Sequence, residues 1–461
     1  WGLADLNIRT VSMRPLFVDI DNDGDKDLFL GTNFCPQLLI NEGRRFSPAP
    51  DAGGLDYCGM VLASNALDFD GDGDLDLVLA GYFQEVDFSS PTTFSFMQNS
   101  LTQADNGGQT LVYENLGAGR FRRASGEGMP GGRHWTNAGG VWDFDDDGRP
   151  DLFFATDYNR DRVYLNRGGG RFEDASRALD SKYSRSGMNA DVAEVFQAGR
   201  PAVFVTHIYE PPFKIGPNTL WTWTGKPDLF DDRGSESGAG TCGCDWAGRF
   251  VDLDLDGRED LVVTNGYISA NPAKNYWYRM ELLSSAAGEV LADSRNWAPF
   301  EDHSMSGFQR KCVYLNDGSR LRRVTEETGM KDDLSDGRAV ASIDARGTGA
   351  LDLVMGNQGM PLRYYRNTPR HKNSWIGFKL VGTRSNRDAW GARVRLRLGG
   401  RTLTRRLFPA NAFMSQSDDR LVFGLGPDPT VESVEVRWPS GTTQVLKGLA
   451  PGRYHRLVEP R

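Results

Sequence analysis

Histidine and cysteine are both scarce in this chain, at five residues each out of 461. The odd cysteine count leaves at least one thiol free or paired outside the chain, and it does not decide a redox compartment. There is no run of about 18 apolar residues, so no membrane-spanning helix is expected. No secretory leader stands at Trp1, and a soluble chain in mature or trimmed form is expected. A serine-nucleophile elbow, a glycine-rich phosphate loop and an HExxH pair are all missing, which removes the strongest signatures of hydrolases, nucleotide enzymes and zinc peptidases. The net charge of -9 and pI near 5.3 argue against nucleic acid or an anionic membrane as the main partner. The basic residues are mostly arginine, which hints at a GC-rich bacterial genome.

What the chain does have is aspartate at alternate positions. In Asp68-Phe69-Asp70-Gly71-Asp72-Gly73-Asp74-Leu75-Asp76, five carboxylates lead directly into an apolar strand at 77–80. Oxygen ligands at positions 1, 3, 5 and 9, with a backbone carbonyl at position 7, suit a hard cation such as calcium, and glycine at position 6 permits the tight turn. The register returns at Asp19 (with Asp21, Asp23, Asp25 and Asp27), at Asp143 (with Asp145, Asp147, Arg149 and Asp151) and at Asp252 (with Asp254, Asp256, Arg258 and Asp260). Asp25, Asp74, Arg149 and Arg258 stand at position 7, and about four calcium ions are expected. Two further copies are degenerate. The loop at 194–202 keeps Gly199-Arg200-Pro201 but has lost its acids, and the loop at 344–352 keeps Asp344 and Asp352 with Arg346 at position 3. Neither is expected to hold calcium, because Arg346 can itself supply the missing positive charge.

Each loop is followed by a short apolar strand and then by a second strand ending in asparagine, as in Leu38-Leu39-Ile40-Asn41, Val112-Tyr113-Glu114-Asn115, Val163-Tyr164-Leu165-Asn166 and Val313-Tyr314-Leu315-Asn316. A four-stranded unit recurring at 19, 68, 143, 194, 252 and 344, rich in glycine and turn residues, is the signature of an all-β propeller. Six repeats are readable, and a seventh blade would have to be assembled from the chain ends.

These repeats resemble the FG-GAP or VCBS calcium-binding propeller repeats of integrin α chains and many bacterial exported proteins. After His371 the character changes. Asn386-Arg387-Asp388-Ala389-Trp390-Gly391, Ser415-Gln416-Ser417, Phe423-Gly424-Leu425-Gly426 and Val434-Glu435-Val436-Arg437-Trp438-Pro439-Ser440-Gly441 follow in order. This is similar to the ASPIC/UnbV domain that follows such a propeller in the cartilage acidic protein family and its bacterial relatives, including the UnbV proteins encoded with enediyne polyketide clusters. The resemblance implies calcium binding and an architecture, but no agreed activity. A propeller over 1–370 and a small β domain over 371–461 are expected, the latter also from the alternation in Val394-Arg395-Leu396-Arg397-Leu398. Two long insertions, at 83–110 and 267–311, set this chain apart. Within the second, Tyr276, Met280, Leu283 and Ala287 fall at helical spacing and predict an amphipathic helix over 275–292.

An acidic loop is a turn between two strands, so residues entering the first strand and leaving the second share the opposite face. That face collects Cys58, His134, Trp135, Arg185, Cys242 and Cys244 on one side, and Thr32, Gly81, Tyr82, Thr156, Asp157, His207, Asn265 and Asn357 on the other. Both insertions leave from it, and a polar and aromatic rim of this kind is a default binding site for a protein, glycan or small molecule. Cys35 and Cys58 are placed to form a disulfide. Cys242-Gly243-Cys244 reads either as a thiolate pair that, with His134, His207 or His303, would suit copper, zinc or iron, or as two separately buried or paired cysteines. Two functions follow: an exported, secreted or periplasmic calcium-stabilised binding module, or an enzyme of secondary metabolism drawing on His134, Asp157, Tyr158, His207, Cys242, Cys244 or His303. The first is preferred, since the strong motifs are structural.

Overall fold

The computed structural model describes residues 12–85, 97–179, 186–225, 230–283, 286–369, 372–427 and 430–461. Six antiparallel blades follow one another along the chain, the second and third joined into one eight-stranded sheet where Gly108 and Gln109 pair with His134 and Arg133. Their innermost strands are Ser12–Val18, Val61–Leu67, Arg133–Trp142, Asp191–Ala193, Asp245–Val251 and Gly337–Ile343. Each innermost strand of blades 2 to 6 packs beside the one before it. In blade 2 the order runs outward through Asp76–Gly81 and Gly108–Asn115 to Phe121–Arg123. Burial falls in the same direction. Val61–Leu67 and Asp76–Gly81 are buried at every position, whereas Phe121–Arg123 hides only Phe121. Strands covered on both faces read as continuous apolar runs, which is why the second strand of each repeat was visible in the sequence.

Blade 6 has three strands, Gly337–Ile343, Asp352–Asn357 and Arg363–Tyr365. No seventh sheet of this kind occurs among the described residues, and residues 1–11 lie outside them. The C-terminal strand Tyr454–Val458 does not join a blade. It pairs in parallel with Ser374–Val381, whose other neighbour is Leu421–Gly426. A second sheet holds Arg401–Arg406, Arg393–Leu398, Val431–Arg437 and Thr443–Leu446. Its Val394, Leu396 and Leu398 point inward with at most 3% exposure. The predicted helix over 275–292 is replaced by single turns at Trp277–Met280 and Glu289–Ala292, with a 3-10 turn at Glu281–Leu283. Residues 284–285 are outside the described set, Ala287 is exposed, and Gly288 at φ 58° gives its N–H to the carbonyl of Asn99 instead of continuing a helix.

The C-terminal sheets are not a separate body. One apolar cluster runs from Leu16, Val18, Leu77 and Tyr113 of blades 1 and 2 to Ile376, Phe378, Trp390, Val394 and Trp438. The connection from Arg401–Arg406 to Leu421–Gly426 also enters the propeller axis as a finger, residues 408–418, that touches all six blades. The guanidinium of Arg14 donates to the carbonyls of Ala410 and Ser415, clasping both limbs of the finger. Asn411 exchanges hydrogen bonds with Val141 N–H and C=O at 2.9 and 3.0 Å and pairs with Asn65. Ala412 N–H reaches the carbonyl of Ala190, Phe413 N–H the side chain of Asn189, and the Phe413 ring lies 5.5 Å from Trp246. Ser342 N–H meets Ser417 Oγ at 3.0 Å. The finger turns back on itself at Ala412 and Met414, both with left-handed φ, a strained conformation that packing on every side sustains.

Candidate metal loops and the face opposite them

The four intact loops share one hydrogen-bond plan. The position 1 carboxylate accepts from the position 6 glycine N–H at 2.9–3.1 Å, with Gly24, Gly73, Gly148 and Gly257 at φ between +94° and +106°. The position 9 carboxylate accepts two backbone N–H groups. One comes from position 2 (Ile20, Phe69, Phe144, Leu253) and the other from the asparagine that ends the next strand (Asn41, Asn115, Asn166, Asn316). The side chains of Asn115, Asn166, Asn316 and Asn367 then reach the position 2 carbonyl of the preceding blade at 2.8 Å. The recurrent asparagine is therefore a clasp between neighbouring blades. Position 4 is left-handed as well, at Asn22, Gly71, Asp146 and Leu255. Residue type does not reveal this, because only one of the four is glycine.

Positions 1, 3 and 9 converge. Oxygens of Asp19, Asp21 and Asp27, of Asp68, Asp70 and Asp76, of Asp143, Asp145 and Asp151, and of Asp252, Asp254 and Asp260 lie within 4.8 Å of one another in each set. Buried oxygens of Asp19, Asp25, Asp143 and Asp145 have no hydrogen-bond partner among the described residues. Burial pushes Asp76 and Asp260 up to about 9, Asp19 and Asp252 to about 7, and Asp27 and Asp68 to about 6. Carboxylates this crowded and desolvated, with buried oxygens left over, fit a hard divalent cation. The position 5 residues Asp23, Asp72, Asp147 and Asp256 lie outside these sets. Asp147 and Asp256 instead pair with the position 7 side chains of Arg149 and Arg258.

The degenerate loops keep the plan without the charge. Glu194 accepts from Gly199 at 2.8 Å, but position 9 is Ala202, and a cleft of about 320 Å³ opens beside Phe196, Arg200, Trp223 and Arg233. In blade 6, Arg346 pairs with Asp352 at 2.8 Å, so a guanidinium occupies the role expected for it.

The C-terminal sheets lie on the loop face. Arg406 meets Asp143 at 2.8 Å and, with Arg393, also binds Asp146. Arg405 meets Glu259 at 2.8 Å, and Gly424 N–H donates to Asp252 at 3.1 Å. Asp388 accepts from Asp19 N–H, and Tyr454 O–H donates to Asp344 at 2.8 Å. Leu255 packs with Trp375 and Val422, which explains a buried leucine in a strained conformation. Sequence reasoning missed this docking. Ser415-Gln416-Ser417 stood out as a motif, but nothing in its pattern says that it lines a channel.

On the opposite face, Asp157 is buried and pushed up to about 6 by desolvation, with Tyr82 O–H at 3.0 Å and the N–H of Tyr158 at 3.1 Å. Tyr158 itself is left-handed at φ 57°. The Trp135 ring sits against Tyr82 and Tyr158 at 5.0 and 5.8 Å, and Arg338 lies over Trp246 and Tyr267 at 4.2 and 5.2 Å. The two insertions meet above this face, where Met97 N–H reaches the carbonyl of Ala292 and Gly288 N–H that of Asn99. Ala104 N–H also ties the first insertion to the carbonyl of Tyr158. Arg185 is outside the described residues.

Cys35 and Cys58 form the expected disulfide. The thiolate pair at 242 and 244 is overturned, because Cys242 is bonded to Cys312 and Cys244 is a buried thiol whose ionisation burial opposes. The histidines do not gather either. His207 is buried, with Nδ1 accepting from Ser186 N–H. His134 is held down to about 4 by burial, with Arg162 adding to the effect, and His303 lies in the second insertion beside Tyr276. Among the described residues no group of converging side chains joins these cysteines to the histidines, and His303 stands instead with Glu301 and Asp302.

The family model described as FG-GAP-like repeat matches residues 19–79 and 143–205, and the model described as ASPIC and UnbV matches residues 382–461. The chain carries FG-GAP-like repeats and an ASPIC and UnbV domain. Its second FG-GAP match runs through the degenerate loop at 194–202, in keeping with a hydrogen-bond plan that survives loss of the acids. Cartilage acidic protein 1 of Mus musculus is 26% identical over 99% of this chain and 74% of its own length, and that of Homo sapiens 25% over 99% and 73%. Among solved structures, BBS1N in complex with ARL6DN, soaked with lead, is 9% identical at TM-score 0.41, covering 95% of this chain and 92% of that one. A protein of unknown function from Dyadobacter fermentans is 12% identical at TM-score 0.39, covering 78% and 94%.

Proposed function

We propose that this FG-GAP and ASPIC/UnbV chain is a calcium-stabilised propeller that offers the face opposite its acidic loops to a protein, glycan or small-molecule ligand. The observation that carries this reading is the occupancy of the rest of the propeller. The C-terminal sheets lie on the loop face and the finger fills the axis, so among the described residues the face with the insertions is the one that neither covers. The side chains that would hold calcium are Asp19, Asp21 and Asp27 with their counterparts in loops 2, 3 and 5, helped by the carbonyls of Asp25, Asp74, Arg149 and Arg258; Asp23 and its counterparts at position 5 would have to turn inward to join them. The ion would supply positive charge to a desolvated carboxylate cluster, which is a structural role. Two disulfides support an exported setting.

Metal analysis and thermal melting test the calcium half. Calcium at a hundredfold excess over its dissociation constant should stabilise the protein by roughly 3 kcal/mol, and a melting temperature unmoved by chelator would refute the role. For the face, the hydrogen-exchange footprint of the first ligand found on a glycan array should fall on the insertions. Substituting the exposed Tyr278 and Ile215 by serine should then weaken binding. A footprint on the C-terminal sheets would overturn the assignment.

A further inference from the structure

We infer that cation binding in loops 3 and 5 and the seating of the axial finger are one equilibrium, with Arg406 and the Gly424 amide acting as positioning groups for the loop carboxylates. This rests on the calcium reading above. The finger is flanked on both sides by contacts to a position 1 carboxylate. Before it, Arg406 Nη1 meets Asp143 Oδ2 at 2.8 Å, in a pair whose side chains are 5% and 4% exposed. After it, Gly424 N–H meets Asp252 Oδ2 at 3.1 Å. The same oxygens accept Gly148 and Gly257 within the loops, and the other oxygen of Asp143 has no partner among the described residues. Asp143 thus has one oxygen shared between its own loop and the C-terminal domain, and one buried oxygen left over for a cation.

A cation drawing the carboxylates of positions 1, 3 and 9 together fixes the direction in which Asp143 presents its shared oxygen, and the outer partner in turn orients the ligand. Without the ion, like charges within 4.8 Å repel and the loop relaxes. Arg406 then loses an oriented partner in a desolvated place and is left with Asp146, a residue of the same relaxing loop. Among the described residues the position 1 carboxylate of loop 2 has no such link, although Gly73 lies against the carbonyl of Arg384. Asp68 accepts from Gly71 and Gly73 of its own loop, so a cation there should be uncoupled from the finger.

The test compares Asp145→Asn with Asp254→Asn in one variant against Asp70→Asn in another; among the described residues none of these three carboxylates bonds to the C-terminal sheets or the finger, and the one backbone contact, Asn373 Nδ2 on the Asp254 carbonyl at 2.8 Å, survives the substitution. Amide exchange of residues 407–418 is followed at saturating calcium, with the metal content of the same samples. The first variant, and the wild type in chelator, should exchange these amides at least tenfold faster than wild type with calcium, relative to Val61–Leu67. Asp70→Asn should lose calcium and leave the finger protected. Calcium loss in the first variant with an unmoved finger, or equal acceleration in both variants, overturns the inference alone. A wild-type protein that takes up no calcium overturns the underlying reading and this inference with it. The chelator arm decides the matter if the double variant fails to fold.

Discussion

At the scale of single residues, the position 9 aspartates do two jobs. Asp76 is fully buried and ties position 2 and the asparagine clasp into one knot. Asp76→Asn replaces an acceptor with an amide donor facing a backbone N–H, so a loss of about 2–3 kcal/mol in denaturant unfolding is expected, with one calcium fewer by metal analysis. Glu459 is a second such knot, outside the propeller. Burial alone would raise its carboxyl, but the N–H groups of Thr383, Arg384 and Ser385 at 2.8–2.9 Å, with the hydroxyls of Ser385 and Ser440, hold it near 2. A depressed carboxyl contributes stability that is present above the unfolded value of about 4 and lost as pH falls toward 2. Glu459→Gln should therefore remove about 2 kcal/mol at neutral pH and flatten the stability profile between pH 4 and 2. An unchanged acid limb in urea titrations would show the carboxylate to be unimportant.

Among the elements, the finger and the sixth loop carry the clearest consequences. Phe413 is 2% exposed and lies between Trp246 and the neighbouring inner strands, so truncation leaves a cavity on the axis. Phe413→Ala should lower unfolding free energy by about 3–5 kcal/mol, and a loss under 1 kcal/mol would mean that the finger does not fill the channel in solution. The sixth loop keeps the turn geometry of a cation site, with Gly349 N–H on Asp344 and Asn367 N–H on Asp352. Replacing Arg346 and Thr348 by aspartate together should add one bound calcium in equilibrium titration. No gain would mean that the clasp, rather than the acids, had shaped this loop.

For the whole molecule, the shared core of blades 1 and 2 with the C-terminal sheets and the finger's contacts to all six blades predict a single unfolding unit. Calorimetry should show one endotherm, and a chain ending at residue 371 should not give a folded propeller. Two well-separated transitions would make the C-terminal sheets an independent module.

The amino-acid order alone determined the repeat, the acidic loops and the change of character near residue 371. These are local patterns: side-chain period 2 in strands, turn residues at fixed offsets, and carboxylates spaced for one ion. It also made the Cys35 to Cys58 pairing readable, because two strand ends on one face are close whatever the blade angle. The partner of Cys242 was not readable, since Cys312 lies across a long insertion whose path no local pattern sets. Nor was the finger readable, because Asn411 and Phe413 bond to strands between 162 and 346 residues away in the chain. Only the packing of six successive blades beside one another creates the axis they fill. The tertiary structure thus decided which propeller face is covered, and it did so by setting arginines and amides of the last sheets against loops whose charge the sequence had already fixed.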